Sequence, residues 1–440
     1  MLSILRRSRR DKVSGALKRS ISVWQGIALY VGAVIGSGIL ILPGMTAGIA
    51  GADALLSWGA MILLSIPLAY TFAFLAKEYP SAGGISAFVE KAFGRYAAAV
   101  IGWFYFIAAS AGQFIVPLTG GIYVSYVFHW KPVVAFVLAA LLLGGAVTTN
   151  YFGLRTSAQV QLATSGLIVL ALFATILFAI PFLDSHALSL SVSGSMWGSV
   201  GKASMLIFWS FFGWEAIASL APEFHDPGRD IMRATWAGIG IVAVLYFGIA
   251  SSVVATHSYA AGSQSVTQAM NDASLAQVMK NTIGRSAGAV TAVTALVICT
   301  GTTNAFVASL SRLAYSLSHE KLAPAWLNHI HSRRSTPERA VLLAGGLAGV
   351  GLVVTYVFNL DMNQLVYVPN SLGIPTYIIG TAAGARLIRP WIGKVCAILA
   401  LVLCLIAYPF IGVFIEIPIA VAVLCLGYVF WRTRHEMGKN

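Results

Sequence analysis

The stretch Gly32-Ala33-Val34-Ile35-Gly36-Ser37-Gly38-Ile39, followed by Pro43-Gly44, decides how this chain folds. It sits inside the apolar run 21–47, and Gly36 and Gly38 flank a serine near the middle of that run. Each glycine costs a helix about 1 kcal/mol relative to alanine. A bilayer core holds no water to answer freed backbone groups, so a break is tolerated only where those groups face protein or a water-filled cavity. Two readings fit the residues. One is an unwound binding segment; the other is close helix packing, because Gly32 and Gly36 also form a GxxxG face.

The rest of the chain says that the run lies in a membrane. Of 440 residues, 58% are hydrophobic and only 10% charged, and the mean hydropathy is +0.81. Soluble domains carry about 25% charged residues, so a soluble enzyme is excluded. Windows of about 20 residues predict twelve spans. They divide the chain into a basic N-terminus (1–20), a first group of five spans (21–182), a second group of five (203–387), two further spans (391–431) and a tail (432–440). Between the last two spans, Tyr408-Pro409-Phe410 leaves little room for a loop. The longest outer connection, 257–285, carries a predicted short helix over 273–283. With the N-terminus inside, 24 of the 28 Lys and Arg residues fall on the cytoplasmic side, leaving Lys131, Lys202, Lys280 and Arg285 outside. The positive-inside rule therefore puts both termini in the cytoplasm. The net charge of +13 is a topology signal with attraction to membrane lipid, and does not indicate nucleic acid. The basic N-terminus leads straight into a long span, unlike a cleavable signal peptide.

The sixth span settles how the first is read. It runs Phe208-Trp209-Ser210-Phe211-Phe212-Gly213-Trp214-Glu215-Ala216, with a glycine in mid-span and a carboxylate two residues later. An acidic residue at this depth is costly and usually functional, which makes Glu215 a candidate for coupling or gating. It would equally cap a helix restarting after Gly213, as an acid in its first turn. The two roles are compatible. Spans one and six are five apart, and an odd interval inverts the repeat, so both copies begin with an interrupted helix. That pattern belongs to inverted-repeat secondary transporters. Free amides of Ser37, Gly38 and Ile39, at the start of the outer half of span one, favour an anion. Carbonyls of Val34, Trp209 and Phe212, ending the first half-helices, favour a cation. An α-amino acid satisfies both.

These residues resemble the amino acid–polyamine–organocation (APC) superfamily. Gly36-Ser37-Gly38-Ile39 with Pro43-Gly44 is similar to its first-span motif, and Lys77-Glu78-Tyr79-Pro80-Ser81-Ala82-Gly83-Gly84 through Ala92-Phe93-Gly94 to its second-to-third-span loop. Glu223-Phe224-His225-Asp226-Pro227-Gly228-Arg229-Asp230 with Arg233 resembles the stretch after span six. Asn304, Ser311-Arg312-Leu313, Tyr315 and Leu322-Ala323-Pro324 resemble that around span eight. Within the superfamily, Phe208-Trp209-x-Phe211-x-Gly213-x-Glu215-Ala216 looks most like bacterial methionine and branched-chain amino-acid exporters.

The resemblance implies an all-α integral membrane protein of 12 transmembrane helices: a 5+5 inverted-repeat (LeuT-like) fold with helices 1 and 6 interrupted, plus two C-terminal helices. It implies that Ser37 and Gly38 hold the substrate carboxylate, that carbonyls of Val34, Trp209 and Phe212 hold the ammonium, and that the Trp209 ring gates. Gly36, Ile39 and Gly213 complete the binding set.

One departure stands out. Some relatives carry a lysine within span five linked to proton coupling, whereas 162–183 contains no basic residue and Ile168 lies near that place. Thr302 and Thr303, with Asn304, are candidates for a sodium site, against the favoured alternative of interhelical hydrogen bonding. Neither the eight histidines nor the four cysteines have metal or disulfide spacing. No cofactor is expected beyond a coupling proton or sodium ion.

The expected function is a permease or exporter of neutral, apolar amino acids in the bacterial plasma membrane. The alternative within the superfamily is a cationic amino-acid or polyamine exchanger. A channel would need a polar pore stripe, and a membrane-embedded enzyme would need a partner for the lone Glu215. The sequence carries no signal for oligomeric state.

Overall fold

Ser22 starts the first helix by its own chemistry. Its hydroxyl accepts from the Gln25 N–H at 3.4 Å, and the Gln25 side chain accepts from the Ser22 N–H at 2.9 Å, a reciprocal cap that answers two donors at the helix start. Helix α1 (Val23–Val34) follows. The computed structural model describes residues 21–80, 84–153, 158–191, 196–215, 218, 221, 224–261, 265–320, 322–332, 334 and 336–437. The basic segment 1–20, residues 81–83, Ala216, Glu223 and the tail beyond 437 lie outside the described residues.

After a break at Ile35, Gly36 and Ser37, the chain continues as α2 (Gly38–Ala50), α3 (Ala54–Glu78), a short amphipathic α4 (Gly84–Phe93), α5 (Arg95–Val127), α6 (Pro132–Tyr151) and α7 (Ala158–Ala179). The second half begins with α8 (Met196–Ile207), which tightens into a 3-10 turn over Phe208–Phe211. Asp226 caps α9 (Pro227–Ala255), accepting from the Gly228 N–H at 3.1 Å with Pro227 in the first turn. The connection after α9 then forms α10 (Ser265–Asp272) and α11 (Ser274–Thr282). Helices α12 (Arg285–His319), α13 (Glu338–Val357), α14 (Met362–Leu387), α15 (Trp391–Ala407) and α16 (Glu416–Met437) complete it. Among the described residues the only strand-like pairing is one isolated bridge, Ile21 with Phe224. It ties the entry of α1 to the chain beyond the second break.

Eight stretches among the described residues are long and apolar enough to cross a membrane. Two of them, Gly38–Glu78 with 41 residues and Trp391–Phe430 with 40, are about twice the length a bilayer core needs. Each folds back on itself. The first turns through a 3-10 segment at Gly51–Asp53 and the second through Tyr408–Ile415, where Gly412 takes a left-handed φ of 65°. That residue makes the tight corner that Tyr408-Pro409-Phe410 leaves room for. The expected helix in the outer connection is α11; α10 before it was not anticipated, because Ser265–Asp272 is mostly polar. Helix α5 packs along α12, and α9 along α1 and α3. This arrangement surrounds both breaks with scaffold.

Candidate functional site

The first break is held from a distance. Gly36 donates to the Val34 carbonyl at 2.9 Å. The same carbonyl lies 2.8 Å from the Tyr246 hydroxyl of α9, which also stands 2.9 Å from the Ser210 carbonyl. One phenolic hydroxyl thus serves both breaks. Tyr123 of α5 donates to the Leu40 carbonyl just beyond the break. At the start of α2, Ser37 is only 2% exposed and its hydroxyl has no partner. The Ser210 hydroxyl, 3% exposed, is also unpartnered. A Cβ on Gly38 would come within 2.5 Å of that Ser210 hydroxyl and 3.0 Å of the Trp209 ring, so Gly38 is what lets the two breaks approach.

The second break carries its own support. Gly213 adopts φ +126°, a conformation side chains rarely take. A Cβ there would lie 2.6 Å from the Ala33 carbonyl oxygen, because the turn presses directly on the end of α1. Glu215 bends back to accept from the Gly213 N–H at 3.0 Å. Its carboxylate also accepts from the Tyr377 hydroxyl of α14, and Tyr105 of α5 reaches the same group. The chain resumes with the Ala218 N–H donating to the Glu215 carbonyl at 3.0 Å. The carboxylate thus closes the turn at Gly213, in a site walled by tyrosines, whereas the helix that Glu215 was expected to cap runs largely over residues outside the described ones.

Between the breaks lies a cavity of about 690 Å³. Val34, Gly36, Ser37, Gly38, Trp209, Phe212, Gly213, Glu215 and Thr302 all line it. It extends to Ile21 and Gln25 at the start of α1 and to Ser309 and Leu310 in the second half of α12. Ile39 does not line it; its side chain is fully buried, so only its backbone is available to the site. The Val34 carbonyl accepts from Gly36 and Tyr246, and the Trp209 carbonyl accepts from the Phe212 N–H at 3.5 Å.

Trp209 packs on Gly112 of α5, where a Cβ would stand 2.9 Å from the indole edge and 3.1 Å from Phe306. Farther out, α10 and α11 sit on Gly44 and Gly48 of α2, against Asn271 and Ser274. Asn271 clamps the Ala260 backbone with two bonds of 2.9 Å. Next to it, burial first and then the neighbouring Asp361 push the Asp272 carboxyl up to about 8.

The threonines of α12 behave differently from the expected interhelical bonding. Thr302 donates to the Ile298 carbonyl at 3.0 Å and Thr303 to Cys299 at 2.7 Å, both within their own helix. The interhelical bonds fall on Asn304, whose side chain accepts from Thr149 and Asn150 of α6, each at 2.8 Å. On α7, Ile168 is buried, and Ser165 is the residue that meets α1 at Gly32.

Sequence reasoning missed Tyr105, Tyr246, Tyr377 and Gly373. The available signal was a hydroxyl or glycine within an apolar span, which marks a residue without naming its partner.

Two interrupted helices meeting at a cavity with backbone polarity at its wall are the frame of a solute carrier, and the family comparison agrees. The sequence model of the family described as amino acid permease matches residues 21–431. The chain is a member of the amino acid permease family. This permease is 34% identical over 419 residues to YecA, an uncharacterized amino acid permease of Bacillus subtilis, covering 95% of this chain and 96% of the relative. It is 28% identical over 406 residues to the Escherichia coli L-methionine/branched-chain amino acid exporter YjeH, covering 90% and 92%. The crystal structure of MhsT in complex with L-phenylalanine shares the fold, with a TM-score of 0.63 at 13% identity over 92% of this chain and 99% of that one. The permease is thus a helical, multi-pass membrane transporter and not an enzyme.

Proposed function

We propose that this permease moves neutral, apolar L-amino acids across the bacterial plasma membrane by alternating access, with export as its working direction. The observation that carries this reading is the cavity between the breaks. Two unpartnered hydroxyls, Ser37 and Ser210, stand at its wall beside the N-terminus of α2, and among the other lining residues aromatic and small apolar side chains outnumber the polar ones. Amides of Ser37, Gly38 and Ile39 would take the substrate carboxylate, and the Trp209 and Phe212 carbonyls its ammonium. Glu215 is the acid at the wall, and its carboxylate is already engaged by Gly213 and Tyr377. That engagement favours a neutral side chain over the cationic alternative. The exporter named among the relatives supports the methionine and branched-chain class and the direction.

The supporting architecture is twelve spans in two inverted groups of five, 21–182 and 203–387, with two further spans at 391–431. Placing the basic residues inside puts both termini in the cytoplasm and makes the described cavity face the cytoplasm. Transport on this scheme needs no cofactor. A proton or a sodium ion would supply the coupling, with Glu215 or the Thr302 and Thr303 pair as its station.

Counterflow in proteoliposomes tests the reading. Vesicles are loaded with unlabelled leucine, methionine, alanine, arginine or putrescine, and the matching labelled solute is placed outside. Accumulation with leucine and methionine, and none with arginine or putrescine, is the expected result. Accumulation with arginine or putrescine alone would overturn it in favour of the cationic exchanger.

A further inference from the structure

Phe212 lines the cavity and is only half-buried, with its ring backed by other side chains. The ring packs against Tyr377 at 5.2 Å, Phe208 at 5.4 Å and Trp209 at 6.1 Å between centroids. Behind it stands Gly373 of α14. A Cβ built on Gly373 would fall inside the Phe212 ring, meeting Cζ and Cε1, with Cε2 at 2.8 Å. Gly373 is helical, with no left-handed φ to explain a glycine; what it supplies is the space the ring occupies. Three aromatic rings hold the other flanks. The side left open is the cavity, which Phe212 and Gly373 both line.

We infer that Gly373 sets the size of side chain this permease accepts, acting as a positioning residue through the Phe212 ring. This rests on the amino-acid reading of the cavity given above. With glycine at 373 the ring stays back and the cavity admits large apolar side chains such as those of leucine and methionine. Any larger residue at 373 drives the ring forward into the volume a substrate side chain would fill. Small substrates are then still accommodated and large ones are not. In an apolar pocket, room for even one methylene shifts discrimination by about 10-fold or more.

The test compares Gly373→Ala with wild type in proteoliposomes, reading the ratio of inhibition constants for leucine and alanine against a labelled neutral amino acid. The expected result is a shift of about tenfold or more towards alanine, reversed when Phe212→Ala is combined with Gly373→Ala. Phe212→Ala alone is expected to shift the preference the other way, towards phenylalanine over leucine, so the inference stays testable if the single glycine variant does not fold. An unchanged ratio in folded Gly373→Ala, or a shift that the double variant leaves in place, overturns it. So does an unchanged phenylalanine-to-leucine preference in Phe212→Ala. Wild-type protein that counterflows no neutral amino acid fails the functional reading instead, and the two failures are distinguishable in one assay.

Discussion

The two helix breaks solve the same problem by different means. In the first, hydroxyls from other helices, Tyr246 and Tyr123, hold the carbonyls that flank the loosened backbone, Val34 and Leu40, and the Ser37 hydroxyl of the break itself is left without a partner. In the second, Glu215 folds onto the Gly213 amide within the same turn, and that turn presses against Ala33. The second break is closely packed, tied by Tyr246 of α9 and Tyr377 of α14 as well as by Glu215; the first has room, and a Cβ on Gly36 would meet nothing within 4 Å. Buried polar groups without partners are costly, and Ser37 and Ser210 leave one at each break, so the space beside Gly36 is where a ligand has room to satisfy them. The closed break supplies the fixed wall.

Substitutions can break that contrast. The largest effect is expected at Gly213→Ala, where an unfavourable φ coincides with a 2.6 Å approach to backbone oxygen. It should cost about 3 kcal/mol or more, seen as a loss of thermal stability in detergent together with transport. Gly38→Val at the open break should leave expression intact but remove uptake in proteoliposomes, because its side chain must displace Ser210 and Trp209. Unchanged uptake would refute the carboxylate assignment.

Glu215→Gln sharpens the comparison further. Losing one charged acceptor for Gly213 and Tyr377 should lower stability by about 1–3 kcal/mol, measured by thermal unfolding. A transport pH profile that also flattens would show that the cap carries coupling as well, whereas an unmoved profile would restrict Glu215 to the cap. The smallest effect belongs to Thr302→Ala/Thr303→Ala. Both hydroxyls bond within their own helix, so transport in sodium-free buffer should be unchanged. Sodium-stimulated wild-type transport that disappears in this variant would relocate the coupling station to α12.

Both breaks were legible in the sequence because glycine in the middle of an apolar run has a local cost that needs a local reason. Trp209, Phe212 and Glu215 could be named for the same cause. The partners were not legible. Tyr246 and Val34 are 212 residues apart, and hydropathy shows that a residue lies in a span without showing which face meets which neighbour. Gly373 and Gly112 were invisible for a related reason: their role is to be absent from a space that another helix fills. Ile39 enters the binding set through its backbone amide alone, its side chain lying in the core.

The Tyr246 hydroxyl has one proton and two carbonyls to serve. If α1 and the second break slid apart, the hydroxyl would lose one of its two carbonyls, at a cost of about 1 kcal/mol. On the alternating-access reading proposed above, the pair would move as a single jaw riveted at its midpoint, and the strength of that one phenolic rivet would bear on how fast the empty carrier returns.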